Sequence, residues 1–335
     1  MRWLILAALV WFGFAVAPPA SAQQWTAAPA VAEGPALPAL PDGWMTVPGT
    51  FLRVHGPEEE AAVLLRIARH GSEALPALAT KLEVPIGSTI HVYLAASDAQ
   101  FRALQPGAPP TWADATAWPN LGVVFLRAPS ARAGTDAPLE QVLEHELVHV
   151  LLGRAFAPGT PPHWLQEGVA QLLAGELGPE EAETLARSSW TGGLIGLEGL
   201  EHGFPNDPHR AALAYAESAD FVGWLVQSHG DDTIPALIRA SAQGRTMRQA
   251  VYAATGSLLE DVEATWGRRW ASSSSAKLAA LASGDWLWMV GAVALLGAGI
   301  QRRRRFARRL EEMEAEEAEI DAWIAAMASR RAASY

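Results

Sequence analysis

The residues best suited to chemistry lie in one short run, His145-Glu146-Leu147-Val148-His149. In an α-helix, side chains at positions i and i+4 lie on one face, so both imidazoles can reach a single metal ion. Nitrogen ligands suit Zn²⁺, and a catalytic zinc takes three protein ligands and leaves one position open. The side chain of Glu146 would lie near that open position, where a carboxylate can accept the proton of an attacking water. The run therefore predicts a zinc-dependent hydrolytic site, provided that a helix and a third ligand exist.

A third ligand is available eighteen residues after His149, where Glu167 occurs in the motif Trp-Leu-Gln-Glu-Gly-Val-Ala. Pro162 near the start and Gly175 at the end bound a second predicted helix, which carries Glu167 in its middle. A carboxylate there would complete a His, His, Glu ligand set. His163 lies one turn before Glu167 and is a further candidate, either for a ligand or for a contact to one.

Two local sequence signals predict where the helix that carries the first motif begins and ends. Asp136 is a candidate N-cap and Gly153 a candidate stop. Apolar residues recur along it at helical spacing and predict a buried face, namely Leu139, Val142, Leu143, Val150 and Leu151. Histidines within such a helix would be costly to bury unless they are hydrogen-bonded or bound to a metal.

Together the two motifs resemble those of the gluzincin metallopeptidases, and more narrowly those of the thermolysin-like peptidase MA family. The resemblance implies His145, His149 and Glu167 as the ligands of one Zn²⁺ ion and Glu146 as the general base. It also implies an α+β fold, a thermolysin-like zincin domain with a small mixed β-sheet, a helical half and the metal site between them. The resemblance extends over about residues 49–275.

The pattern of the chain from residue 49 onward is compatible with that fold. Apolar and alternating runs predict strands at 50–54, 89–94 and 122–126. An amphipathic helix is predicted at 58–82, bent or ended near Pro76. The strand at 122–126 resembles the edge strand that pairs with the substrate backbone in such enzymes, although an ordinary internal strand fits it equally well.

Beyond the Glu167 helix the chain is predicted to be helical. A zinc peptidase needs a group that stabilises the developing oxyanion. Tyr215 is the first candidate for this role, and His209 and His229 are the alternatives. Capping residues and glycine stops predict five helices here, at 179–187, 207–228, 232–242, 246–254 and 258–270.

The net charge and the absence of cysteine exclude some classes of function and of metal site. The chain has 335 residues and a net charge of −11, which argues against a nucleic-acid partner because such a partner requires a basic face. It contains no cysteine, so disulfides and thiolate metal sites are excluded.

The N-terminal segments predict export. Residues 1–22 combine Arg2, an apolar run and the small-residue motif Ala20-Ser21-Ala22, which is typical of a cleaved signal peptide. An uncleaved anchor is the alternative. Residues 23–48 are rich in proline and alanine and predict an extended linker.

The C-terminal part predicts a membrane anchor. Residues 279–301 contain a long apolar run with Trp286 and Trp288 near its start, and four arginines follow at 302–305. These features are typical of one transmembrane helix with its C-terminal side in the cytoplasm. A buried core helix explains neither the tryptophans nor the arginines. The basic and acidic tail at 302–335 would then be cytoplasmic, and the zinc domain would lie outside the cytoplasm, on the periplasmic side of the inner membrane in a bacterium.

These features predict a membrane-anchored zinc metallopeptidase that hydrolyses peptide bonds in a peptide or protein substrate. A non-catalytic, zinc-stabilised binding module on the same anchor is the alternative. An intramembrane protease is disfavoured, since the first helix carries Glu140, Glu144 and Glu146 and lies far from the apolar run.

Overall fold

The computed structural model describes residues 37–109, 113–132, 137–176, 178–191, 193–272 and residue 303. The chain divides into two units, 1–277 and 278–335, and the sheet and its helices belong to the first. The predicted signal peptide at 1–22 and transmembrane helix at 279–301 lie outside the described residues. Within the described part of the chain, no helix is long and apolar enough to cross a membrane.

A five-stranded mixed sheet forms the N-terminal half of the domain. Its strands lie in the order β1-β2-β3-β5-β4. β2, β3 and β5 run parallel, while β1 and β4 pair antiparallel at the two edges. The strands are β1 (Trp44–Pro48), β2 (Leu52–Pro57), β3 (Ile90–Ala95), β4 (Ala115–Trp118) and β5 (Val123–Arg127). β1 lies inside the stretch 23–48 that predicts a linker, and its pairing with β2 makes it part of the sheet.

Of the two interpretations of the strand at 122–126, the internal strand is confirmed and the edge strand is wrong. That segment forms β5, which lies between β3 and β4 and is buried at every position. A strand covered on both faces reads as a continuous apolar run, and Val-Val-Phe-Leu is such a run. The edge strand beside it is β4, whose four residues carry a weaker sequence signal.

Helices form most of the remaining fold, and the five helices predicted beyond Glu167 are present with slightly shifted ends. Most of them pack against one face of the sheet and against each other, while Phe101 packs on the opposite face with Tyr93 and Phe125. Their bounds are α1 (Ala61–Leu82), α2 (Asp98–Ala103), α3 (Leu139–Phe156), α4 (His163–Ala174), α5 (Pro179–Thr191), α6 (Pro208–His229), α7 (Thr233–Ala242), α8 (Met247–Thr255) and α9 (Leu259–Ser272).

Helix α1 passes through Pro76 without ending there. Proline removes one main-chain hydrogen bond and disfavours a helix interior. Burial of Leu75, Leu78 and Leu82 against the core stabilises the last turns, so the helix continues to Leu82. It ends at Glu83, which adopts the left-handed conformation with φ 55°.

Hydrogen bonds to one carboxylate, that of Asp220, hold helix α9 against α6. Asp220 on α6 accepts the indole N–H groups of Trp266 at 2.6 Å and Trp270 at 2.7 Å. The same carboxylate accepts the guanidinium of Arg269 at 2.8 Å. Three donors from α9 on one acceptor fix the position of this helix along α6, because each would lose its partner if α9 shifted.

Candidate metal and active site

Helix α3 carries the first motif through the centre of the domain. The side chains of His145, Glu146 and His149 are at most 1% exposed. The prediction that α3 stops at Gly153 is wrong, since the helix continues to Phe156. A Cβ at Gly153 would lie 2.3 Å from the Cβ of Pro119, so this glycine permits close packing after β4 and does not end the helix. The candidate N-cap Asp136 lies outside the described residues, and the N-cap position is occupied by Pro138.

Helix α4 carries the second motif, and its predicted bounds are confirmed. Pro162 precedes its first residue, and Gly175 ends it with φ 70°. Gly168 brings α4 against α6, because a Cβ there would lie 2.3 Å from the carbonyl oxygen of Ser218. This close approach places Glu167, the preceding residue, between α3 and α6 with no exposed surface.

The structure brings His145, His149 and Glu167 together. One ligand atom from each lies within 4.8 Å of the others. Nε2 of His145 is 3.5 Å from Oε2 of Glu167, and Nε2 of His149 is 3.6 Å from Oε1. Ligand atoms about 2.1 Å from a tetrahedral zinc lie about 3.4 Å apart, so the cluster has nearly the spacing that this ion requires.

The hydrogen bonding of the cluster also fits a cation. Nε2 of His145 and both oxygens of Glu167 are buried and have no hydrogen-bond partner in the described part of the chain. Burying a carboxylate without donors costs several kcal/mol, on the order of the penalty for any unpaired ion. A metal ion between the imidazoles and the carboxylate would satisfy Nε2 of His145 and one oxygen of Glu167 at once.

Glu176 is a residue of the site that the sequence analysis missed. Its two carboxylate oxygens each lie 3.1 Å from Nδ1 of His145. An N–H at Nδ1 then donates to Glu176, which leaves Nε2 as the atom that faces Glu167. Burial opposes a positive charge on His145, but the carboxylates of Glu176 and Glu167 outweigh it and raise the pKa of His145 well above its ordinary value.

Glu146 is a buried carboxyl group beside the cluster. Burial raises its pKa from 4.5 to about 8, the charge of His145 opposes this rise, and the carboxylates of Glu167 and Glu176 add to it. Its Oε1 has no hydrogen-bond partner among the described residues. A carboxyl group with a pKa near neutrality is suited to accept and return a proton.

Tyr215 lies on α6 close to the same group of carboxylates. It is 4% exposed, and its ring meets Phe204 edge-on with centroids 4.7 Å apart. Burial raises the pKa of the Tyr215 hydroxyl well above 10, and the charges of Glu167 and Glu146 contribute to the rise. The hydroxyl therefore stays protonated and can donate a hydrogen bond. The alternatives His209 and His229 are exposed near the two ends of α6 and are not part of this buried cluster.

His163 lies at the start of α4, next to the cluster but outside the set of three. Its Nε2 is 3.9 Å from Oε1 of Glu167, and the residue is 6% exposed. Its ring meets Phe204 edge-on, with centroids 4.5 Å apart and an angle of 87°. Its main-chain N–H donates to the carbonyl of Glu201 at 2.9 Å.

Two packed helices with a buried His, His, Glu cluster, beside a mixed sheet, are typical of a gluzincin-type metallopeptidase domain. The sequence matches the Peptidase MA superfamily over residues 71–272, which is more than half of the chain. The chain belongs to this superfamily.

Solved structures similar to the chain include M1 zinc metallopeptidases. A two-domain M1 zinc metallopeptidase mutant bound to L-arginine is 17% identical with a TM-score of 0.37, and the match covers 69% of this chain and 51% of that one. An M1 zinc metallopeptidase from Deinococcus radiodurans is 18% identical with a TM-score of 0.34, covering 68% and 51%. The chain thus spans about half the length of these structures. No curated protein matches it.

Proposed function

We propose that this protein is a zinc metallopeptidase that hydrolyses peptide bonds with one zinc ion. The observation that carries the proposal is the buried cluster of His145, His149 and Glu167, with the carboxyl group of Glu146 beside it. Membership of the Peptidase MA superfamily supports the same conclusion. Nε2 of His145 and both carboxylate oxygens of Glu167 have no hydrogen-bond partner in the described chain, as expected of atoms that hold an ion.

The roles of the residues follow from their positions. His145, His149 and Glu167 would hold the zinc ion, which supplies Lewis acidity that activates a water and polarises the scissile carbonyl. Glu146 accepts a proton from the attacking water and passes it to the leaving amine. The protonated hydroxyl of Tyr215 donates to the oxyanion that develops on the scissile carbonyl. No covalent acyl-enzyme forms, because the nucleophile is water.

Membrane attachment is a further part of the proposal. The apolar run at 279–301 with its following arginines would anchor the protein through one helix, with the peptidase domain outside the cytoplasm. An external protease added to sealed spheroplasts should then digest the domain and leave a tag on the tail at 302–335 intact. Digestion of the tail with an intact domain would contradict this orientation.

Kinetics of three proteins test the catalytic proposal, namely the wild-type chain, Glu146→Gln and Tyr215→Phe, each on a broad peptide mixture. The wild type should cleave peptides. Loss of the general base should lower kcat by at least about 100-fold, and loss of the Tyr215 hydroxyl should also lower kcat with little change in KM. If Glu146→Gln cleaves as fast as the wild type, the proposed mechanism is wrong. If the wild type binds zinc and cleaves nothing, the chain is a zinc-stabilised binding module.

A further inference from the structure

The carboxylate of Glu167 has two oxygens, and their surroundings differ. Oε2 faces Nε2 of His145 at 3.5 Å. Oε1 faces Nε2 of His149 at 3.6 Å and also Nε2 of His163 at 3.9 Å. Glu167 therefore contacts a third imidazole, on a side chain that belongs neither to the ligand set nor to the general base.

The imidazole of His163 can supply the hydrogen-bond donor that the buried carboxylate of Glu167 needs. A carboxylate that binds a metal through one oxygen keeps lone pairs on the other, and in a site without exposed surface those lone pairs need a donor. A separation of 3.9 Å is too long for a hydrogen bond, but a movement of about 1 Å brings a nitrogen donor to the usual distance. Nε2–H of His163 can therefore donate to Glu167 after a small rotation of either side chain.

The ring of His163 is held in place from two directions. His163 and Glu167 are four residues apart on α4, so helix geometry alone sets their side chains next to each other. From the other side, Phe204 meets the His163 ring edge-on, and Glu201 accepts its main-chain N–H. Phe204 also meets the ring of Tyr215 edge-on. Residues 201–204, between α5 and α6, therefore connect His163 with Tyr215.

We propose that His163 is a positioning residue that donates a hydrogen bond to Glu167 and holds this carboxylate in the orientation that binds the metal. Phe204 keeps the His163 ring in the donating position. His163 acts through Glu167 and touches neither the substrate nor the metal. The inference rests on the proposed function, because it needs a metal held by Glu167.

Zinc affinity of the full chain is the measurement that tests this inference. The dissociation constant is determined by competition with a chromophoric chelator for the wild type, His163→Leu and His163→Gln. Leucine fills a similar volume without a donor, and we expect it to weaken zinc binding about 10- to 100-fold. Glutamine carries an N–H donor at a similar reach and should bind within a few-fold of the wild type. His202→Gln, an exposed histidine in the same segment, is the matched control and should bind as the wild type does.

A spectroscopic measurement separates positioning from packing. In cobalt-substituted protein, the visible absorption reports the ligand geometry, and it should change in His163→Leu and return in His163→Gln. Phe204→Leu should weaken zinc binding less, and its effect should largely vanish when His163 is already leucine, because both act on one contact. Thermal unfolding of the zinc-free proteins checks that each variant folds.

The outcomes distinguish this inference from the function on which it rests. If the wild type binds zinc and His163→Leu binds it equally tightly, the inference fails and the proposed function stands. If His163→Gln is as weak as His163→Leu, the donor is not the cause and the inference also fails. If the wild type binds no zinc, the proposed function fails and the inference fails with it.

Discussion

Replacing Glu217 with glutamine should flatten the dependence of the protein's stability on pH. Glu217 lies on α6 with no exposed surface and accepts the main-chain N–H groups of Ile195 at 2.8 Å and Gly196 at 3.2 Å. Glu263 on α9 accepts the next N–H, that of Leu197, at 2.8 Å. The two carboxylates thus hold the segment that leads to Phe204, and one of them is fully buried.

Burial raises the pKa of Glu217 from 4.5 to about 7; the two main-chain N–H groups and Arg210 oppose this rise, and the carboxylate of Glu263 adds to it. The folded protein therefore binds this proton more tightly than the unfolded chain does. By linkage, this tighter proton binding by Glu217 stabilises the folded protein. The stabilisation is fully present below pH 4.5, declines as the pH rises and is lost above pH 7. The two pKa values differ by about 2.5, which corresponds to about 3 kcal/mol.

The assay is denaturant unfolding of the zinc-saturated full chain at several values between about pH 5 and pH 8. The free energy of unfolding of the wild type minus that of Glu217→Gln should fall by about 2 to 3 kcal/mol across this range. A hydrogen bond lost in the variant shifts the whole difference by a constant, and titrations elsewhere are common to both proteins. Glu198→Gln, an exposed carboxylate in the same loop, is the control and should follow the wild-type curve. Parallel curves for the wild type and Glu217→Gln would refute the reasoning.

Three further predictions concern other parts of the domain. Glu176→Gln removes the charge that orients His145, and zinc affinity measured by chelator competition should fall about 10- to 100-fold; an unchanged dissociation constant would contradict this role. Asp220→Asn weakens the acceptor that fastens α9, and urea unfolding should show a loss of about 1 to 3 kcal/mol, whereas a loss below about 0.5 kcal/mol would show that the contact is dispensable. His55 is buried, which lowers its pKa to about 4, and the charges of His91 and Arg53 add to this effect. Because the unfolded chain then binds the proton more tightly, stability should be present above pH 6.5 and decline as the pH falls toward 4; His55→Gln should lack this acid-side decline in the same unfolding assay.

The part of the site that the sequence could predict is the part set by local geometry. The spacing of His145 and His149 places both on one face of any helix, wherever that helix lies in the fold. Pro162 and Gly175 bound α4 through their own backbone preferences, so its ends were predictable as well. The five helices after Glu167 followed from capping residues for the same reason.

Features that depend on packing could not be predicted in this way. Glu176 follows the end of α4, and its contact to His145 exists only because two helices meet. Glycine commonly ends a helix, but Gly153 lies inside α3. The close approach of Pro119 explains why a glycine occurs at this position. The edge position of β4 depends on the order of strands, which no run of four residues reveals. The signal peptide and membrane helix remain predictions, since they lie outside the described residues.

The measurement that tests the central claim most directly is the zinc content of the purified full chain, beside Glu146→Gln and Glu167→Ala. The account predicts one zinc per chain in the wild type and in Glu146→Gln, because Glu146 is not a ligand. It predicts loss of the metal in Glu167→Ala, because one of three ligands is gone. A wild-type chain without zinc, or a Glu167→Ala variant that keeps its full zinc content, would contradict the account.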